Sequence, residues 1–129
     1  MMLVLKSPFS SAHLYQQPLW SPEENTKTFG RCYTEHGHGH NYKLEVAFQI
    51  RDSEITEQKK ELQKLLDSLT RALDHEHLNF VIPEFKTQIP TTENIALYFL
   101  NKLKERGRDK DVAYLRLYEM DNLWTEIRR

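Results

Sequence analysis

Residues 38–50 alternate in polarity with a period of two, and that pattern constrains the fold before anything else does. His38, His40, Tyr42, Leu44, Val46, Phe48 and Ile50 share one parity; Asn41, Lys43, Glu45 and Gln49 share the other. Such alternation is the signature of a strand with one buried face. Residues 3–13 read as a second strand, with Leu3, Leu5, Phe9, Ser11 and His13 on one side and a bulge or edge position permitted at Ser7-Pro8. The period then changes. Leu62, Leu65, Leu66, Leu69 and Leu73 form a helical stripe within residues 56–73. A second helix is predicted from Thr91, with Pro90 before it, Thr91 or Thr92 as its cap, Glu93 in its first turn and Gly107 as its stop. Its apolar face carries Ile95, Tyr98, Phe99 and Leu103.

The tail returns to strands. Ala113, Leu115, Leu117 and Glu119 alternate with Val112, Tyr114, Arg116 and Tyr118, and an Asp121-Asn122 turn pairs residues 123–127 back as a hairpin. Residues 15–31 and 73–90 are predicted as loops. The order β-β-α-α-β-β predicts an α+β fold: a four-stranded antiparallel sheet with two helices on one face. A small, half-covered sheet leaves apolar surface and strand edges that association with further copies would protect.

The length of 129 residues suits one domain, 1–129. A net charge of −1 argues against an electrostatic nucleic-acid binder. Apolar runs such as residues 95–100 fall short of the roughly 20 residues that span a bilayer. The N-terminal segment lacks the basic and long apolar regions of a secretory signal, so the expected setting is cytoplasmic. There is one Cys, Cys32, which excludes an intrachain disulfide and a multi-thiolate zinc site. There are also six His, three of them within residues 36–40.

His38-Gly39-His40 is the strongest local signal. Residues i and i+2 of a strand project from one face, so both imidazoles can reach one ion, and His13 is the natural third ligand. A surface histidine cluster is the plainer alternative. Cys32 is either an activated thiol or a small buried hydrophobe. Asp74-His75 ends the first helix, where an acid orienting an imidazole and ordinary helix-end electrostatics are both open readings. Glu119 continues an apolar parity, so its carboxylate either finds a donor pair in buried surroundings or reaches out to water at the strand end. Thr91-Thr92-Glu93 suffices as a helix cap, and its hydroxyls could also touch a ligand. His77 reads as a solvated neighbour.

Together, FSSAH (9–13), CYTEHGHGHNY (32–42), LDHEHLN (73–79), PTTEN (90–94) and YE (118–119) resemble the 6-pyruvoyl-tetrahydropterin synthase family, which includes 6-carboxy-tetrahydropterin synthase. The resemblance implies the tunnelling fold, in which trimers close a twelve-stranded barrel, two trimers stack into a homohexamer and sites lie at subunit interfaces. It implies His13, His38 and His40 as Zn2+ ligands, Cys32 as the catalytic thiol and Asp74 with His75 as its proton relay. Glu119 would anchor the pterin edge, with Thr91 and Thr92 near the same pocket. The implied reaction converts 7,8-dihydroneopterin triphosphate to 6-pyruvoyl-tetrahydropterin with loss of triphosphate, a lyase reaction. The Cys32-to-His38 spacing resembles the pyruvoyl-forming branch. Glu35, three residues before His38, resembles the base of a branch that cleaves the side chain to 6-hydroxymethyl-dihydropterin for folate. Cleavage to the 6-carboxy product of the queuosine route is the other alternative. A non-catalytic pterin- or metal-binding protein is the alternative of another class; Cys32, Asp74, His75 and Glu119 occurring together argue against it.

Overall fold

The computed structural model describes residues 1–33 and 37–129. In chain order its elements are β1 (Met2–His13), α1 (Pro22–Phe29), β2 (His38–Gln49), α2 (Ile55–Arg71), β3 (Glu76–His77), α3 (Leu78–Val81), α4 (Thr92–Glu105), β4 (Val112–Met120) and β5 (Leu123–Arg128). Short 3-10 turns precede α2 and β4, and others lie at Gly30–Cys32 and Pro83–Lys86.

The sheet runs β3-β1-β2-β4-β5. It therefore has five strands, not the four expected, and it is mixed: β3 lies parallel to β1, with Ser11 opposite Glu76 and Ala12 opposite His77. Two residues are too few to show a period, so this strand was invisible in a segment read as loop. The other pairings are antiparallel, as expected. In the β1–β2 register His13 faces His38, Ser11 faces His40, Phe9 faces Tyr42 and Leu5 faces Val46. The sheet's inner face is thus apolar over most of its length and turns imidazole-rich at one end. Phe9 and Tyr42 stack there at 4.9 Å, forming the floor beneath the histidines.

Helices α2 and α4 cover that face. Leu62, Leu66, Leu69 and Leu73 from the α2 region meet Ile95, Ala96, Phe99 and Leu103 of α4 over the buried sheet residues Leu5, Leu44, Val46, Phe48, Leu115 and Leu117. Val112 joins this core against its expected parity, because a bulge opposite Ala47 and Phe48 inserts a residue into β4. The 15–31 segment is not all loop. Ser21 accepts a hydrogen bond from the Glu24 N–H, Pro22 occupies the first helical turn, and α1 follows. Among the described residues no helix is long and apolar enough to cross a membrane.

Candidate metal centre and flanking cleft

The β1–β2 register brings His13, His38 and His40 to one end of the covered face, and β4 delivers Glu119 beside them. One ligand atom from each of these four residues lies within 4.8 Å of the others. His13 Nε2 is 3.0 Å from His38 Nε2. Glu119 Oε1 is 2.8 Å from His40 Nε2 and 3.8 Å from His13 Nε2. The strand spacing that suggested a shared ion is therefore realised as convergence.

Burial sets the protonation of the group. His13 is almost fully enclosed, and burial together with the neighbouring imidazoles of His38, His40 and His77 pushes its pKa down to about 3. His38 is lowered as well, chiefly by burial and then by His40. Neutral imidazoles are the form that donates a lone pair to a metal. The far nitrogen of His13, Nδ1, is 2.8 Å from the buried Tyr42 hydroxyl, a contact that fixes the ring with Nε2 turned to its partners. Sequence reading placed Tyr42 in the core and gave it no such task.

The donors fit a divalent cation. Four nitrogen and oxygen donors about 2.0–2.2 Å from a tetrahedral ion stand roughly 3.3–3.6 Å apart, and distances of 2.8, 3.0 and 3.8 Å between these atoms straddle that range. His40 Nε2 supplies an independent sign. It is buried and makes no hydrogen bond, although the Glu119 oxygen is 2.8 Å away.

Several backbone devices hold the cluster. Asn79 clamps Leu14 in both directions, its side-chain oxygen accepting from Leu14 N–H and its amide donating to Leu14 O, each at 2.9 Å. That locks the chain one residue past His13. Gly37 adopts φ +72°, and a Cβ there would collide with the His13 carbonyl and lie 2.7 Å from His77 Nε2, so only glycine lets β2 begin so close to β1. His77 is not the solvated neighbour expected: it is half-buried against Phe80 at 4.4 Å and close enough to influence His13.

Tyr15 is a further residue that sequence reading passed over. Its ring packs on His13 at 5.1 Å, and its N–H donates to Cys32 O at 2.7 Å. Burial pushes its phenol pKa up, and the charges of Glu119, Cys32 and Glu93 act in the same direction. Tyr15 thereby ties the half-buried Cys32 to the histidine end of the sheet. Thr92 donates to Glu119 Oε2 at 2.9 Å, whereas Thr91 serves as the N-cap of α4, accepting from Asn94 N–H at 3.1 Å.

Asp74 and His75 lie in the turn between α2 and β3, tied to Ser10 of β1. Asp74 accepts from Ser10 N–H at 2.8 Å, and the His75 N–H donates back to Ser10 O at 2.6 Å. This double tie holds His75 at φ +60°, a left-handed conformation rare for a residue with a Cβ. Its ring is 2.9 Å from Asp74 Oδ2 and largely exposed. The Ser10 N–H, then the His75 contacts, keep the Asp74 carboxyl below the usual range. No hydrogen bond joins this pair to Cys32 among the described residues. A cleft of about 500 Å3 opens between Ser10, His40, Asn41, His75 and His77, so His40 borders both the metal cluster and the space that His75 faces. Glu35, the other candidate base, lies outside the described residues.

Comparison with known proteins identifies the family. The family model described as 6-pyruvoyl tetrahydropterin synthase matches residues 3–129. The 6-pyruvoyl tetrahydrobiopterin synthase of Pongo abelii is 34% identical over 118 residues, covering 88% of this chain and 81% of that protein. The same-named protein of Dictyostelium discoideum is 36% identical over 132 residues, covering 96% and 89%. Among solved structures, the 6-pyruvoyl tetrahydropterin synthase of Caenorhabditis elegans superposes with a TM-score of 0.90 at 26% identity, covering 100% of this chain and 95% of that one.

Proposed function

The chain belongs to the 6-pyruvoyl tetrahydropterin synthase family and is an enzyme of its lyase type, and from that premise we propose that it converts 7,8-dihydroneopterin triphosphate to 6-pyruvoyl-tetrahydropterin. The observation that carries this reading is the convergence of His13, His38 and His40 on one point, with Glu119 and the Tyr15–Cys32 pair beside it.

His13, His38 and His40 would hold Zn2+, which supplies Lewis-acid polarisation of the substrate's side-chain hydroxyls. Everything else falls to the chain's own groups. Glu119, oriented by the Thr92 hydroxyl on Oε2, would turn its two carboxylate oxygens to the paired N–H donors of an aminopyrimidine edge. Cys32 Sγ, as the thiolate, takes the proton from the carbon adjacent to the one bearing the triphosphate; the C–H electron pair forms a carbon–carbon double bond, and the C–O bond to triphosphate breaks with its electrons leaving on the triphosphate. The thiol then returns protons to the ring as the side chain is oxidised to the dicarbonyl and the pterin ring is reduced, so no external reductant is needed. Asp74 Oδ2, 2.9 Å from His75 Nδ1, orients the His75 ring, which would be the exchange point with solvent for the proton on Cys32. Because His75 faces outward, Cys32 and the Asp74–His75 pair would come from adjacent subunits of a homohexamer built as a dimer of trimers around a barrel. A soluble, cytoplasmic enzyme of one domain, residues 1–129, completes the reading.

The test is product identification by mass after incubating zinc-loaded protein with 7,8-dihydroneopterin triphosphate, for wild type, Cys32→Ala and Glu35→Ala. The expected result is a pyruvoyl product and free triphosphate from wild type, falling at least a hundredfold in Cys32→Ala, in line with the roughly 10²–10⁴-fold worth of a positioned acid–base group. A 6-hydroxymethyl product that survives Cys32→Ala and vanishes in Glu35→Ala would replace this reading with side-chain cleavage. No turnover by wild type would remove the enzymatic assignment.

A further inference from the structure

Glu119 is placed for a second task that anchoring a pterin does not require. Its two oxygens have different surroundings. Oε2 accepts from Thr92 Oγ1 at 2.9 Å, while Oε1 is turned into the histidine cluster, 2.8 Å from His40 Nε2 and 3.8 Å from His13 Nε2. A simple ion pair with His40 would show an N–H aimed at that oxygen. It does not: His40 Nε2 makes no hydrogen bond despite the short separation, as expected when a nitrogen and an oxygen both direct lone pairs at a third point. His13 Nε2 and His38 Nε2 lie 3.0 Å apart at hydrogen-bonding distance beside this pair, with the opposite side of the His13 ring occupied by Tyr42.

We propose that Glu119 Oε1 is the fourth donor of the metal centre in the resting enzyme, held in place by Thr92 and surrendered when a pterin ring arrives. This rests on the three-histidine metal site proposed above and adds a claim that site does not need. Three imidazoles and one carboxylate close a tetrahedral site, and a closed site has no position for substrate. One carboxylate cannot both ligate the ion through Oε1 and present both oxygens to an aminopyrimidine edge. Binding of the ring therefore pulls the carboxylate off the metal and opens the position that the substrate's side chain needs. The coupling makes an open metal site available only when a pterin is in the pocket.

Metal binding and cobalt absorption test this without turnover. Metal-free wild type, Glu119→Gln, Glu119→Ala and Thr92→Val, each checked for folding by circular dichroism, are loaded with Zn2+ against a competing chelator and separately with Co2+. Glu119→Ala should bind Zn2+ at least tenfold more weakly, at the low end of the roughly 10–100-fold that even an outer-sphere partner contributes. Its cobalt bands should weaken and shift as water enters the vacated position. Thr92→Val should show a smaller loss in the same direction. Adding 7,8-dihydroneopterin, which lacks the triphosphate, should move the wild-type cobalt spectrum toward that of Glu119→Ala. Should Glu119→Ala fail to fold, Glu119→Gln, which keeps the shape but removes the charge, is read in its place. Stoichiometric metal in wild type with unchanged Zn2+ affinity and cobalt spectrum in the Glu119 variants overturns the fourth-donor assignment and leaves the three-histidine site standing. A wild-type spectrum unmoved by dihydroneopterin overturns the exchange. Wild type that takes up no metal removes this proposal together with the site on which it rests.

Discussion

Single residues at the histidine end carry unusual electrostatic loads, and His13 carries the heaviest. Its folded-state pKa of about 3 stands below the ordinary 6.5 because the ring is enclosed and surrounded by other imidazoles. Between those two values the unfolded chain binds a proton that the folded one refuses. Stability is therefore complete above pH 6.5 and is lost as pH falls toward 3. His38 is lowered for the same reasons and adds to the effect in the same direction. Each proton taken up on unfolding weakens the fold by about 1.4 kcal/mol per pH unit. Metal-free protein should accordingly lose several degrees of Tm per unit from pH 6.5 downward, and His13→Asn should show a shallower slope. A His13→Asn protein with the wild-type slope would show that His13 is not the group being titrated. The shared face of His38 and His40 was legible because strand parity alone puts both residues on one side. The roles of Tyr15, Tyr42 and His77 were not legible. Each depends on which way a ring turns against a neighbour distant in sequence, and no local period reports that.

At the scale of elements, the long regular pieces were readable and the short ones were not. The leucine stripe predicted for residues 56–73 became α2, and the alternation from residue 38 became β2, each shifted by a residue or so at its ends. Both signals come from burial repeated over several turns or pleats, which is why they survive in sequence. Helix α1 buries only Asn25 and so has no apolar stripe; what marked it was local, a Ser21-x-x-Glu24 capping pattern with Pro22 at the start. β3 and the bulge in β4 are set by register with neighbouring strands, information that no isolated window contains. The core consequence is direct. Leu66 has no exposed surface and belongs to the core cluster that α2 shares with the sheet and α4. Leu66→Ala should cost about 2–5 kcal/mol, the range for emptying a fully packed leucine site. In urea the midpoint should fall while the slope stays unchanged. A loss under 1 kcal/mol would mean that the helix collapses into the space and that α2 is held less rigidly than its burial implies.

The whole molecule carries its unfinished business at its edges. β5 ends the sheet with one side unpaired among the described residues, and Met120, Leu123 and Trp124 are exposed around its turn. An open edge with exposed apolar residues favours strand-to-strand assembly. The chemistry leans the same way. Cys32 is tied to Tyr15 at the histidine end, while Asp74 and His75 are pinned to Ser10 with the His75 ring out in solvent, so among the described residues of one chain no hydrogen bond joins the proposed thiol base to its proposed relay. If neighbouring copies complete each site, two inactive variants should repair one another. Cys32→Ala still supplies His75, and His75→Ala still supplies Cys32. In randomly mixed rings of equal parts, half the sites hold an intact thiol and half of those meet an intact relay, so about one quarter of wild-type activity should return. Co-expression of the two, or joint refolding from denaturant, followed by the product assay reads this directly. Mixtures as inactive as their parents would place thiol and relay on the same chain and require the outward-facing His75 to turn inward during turnover.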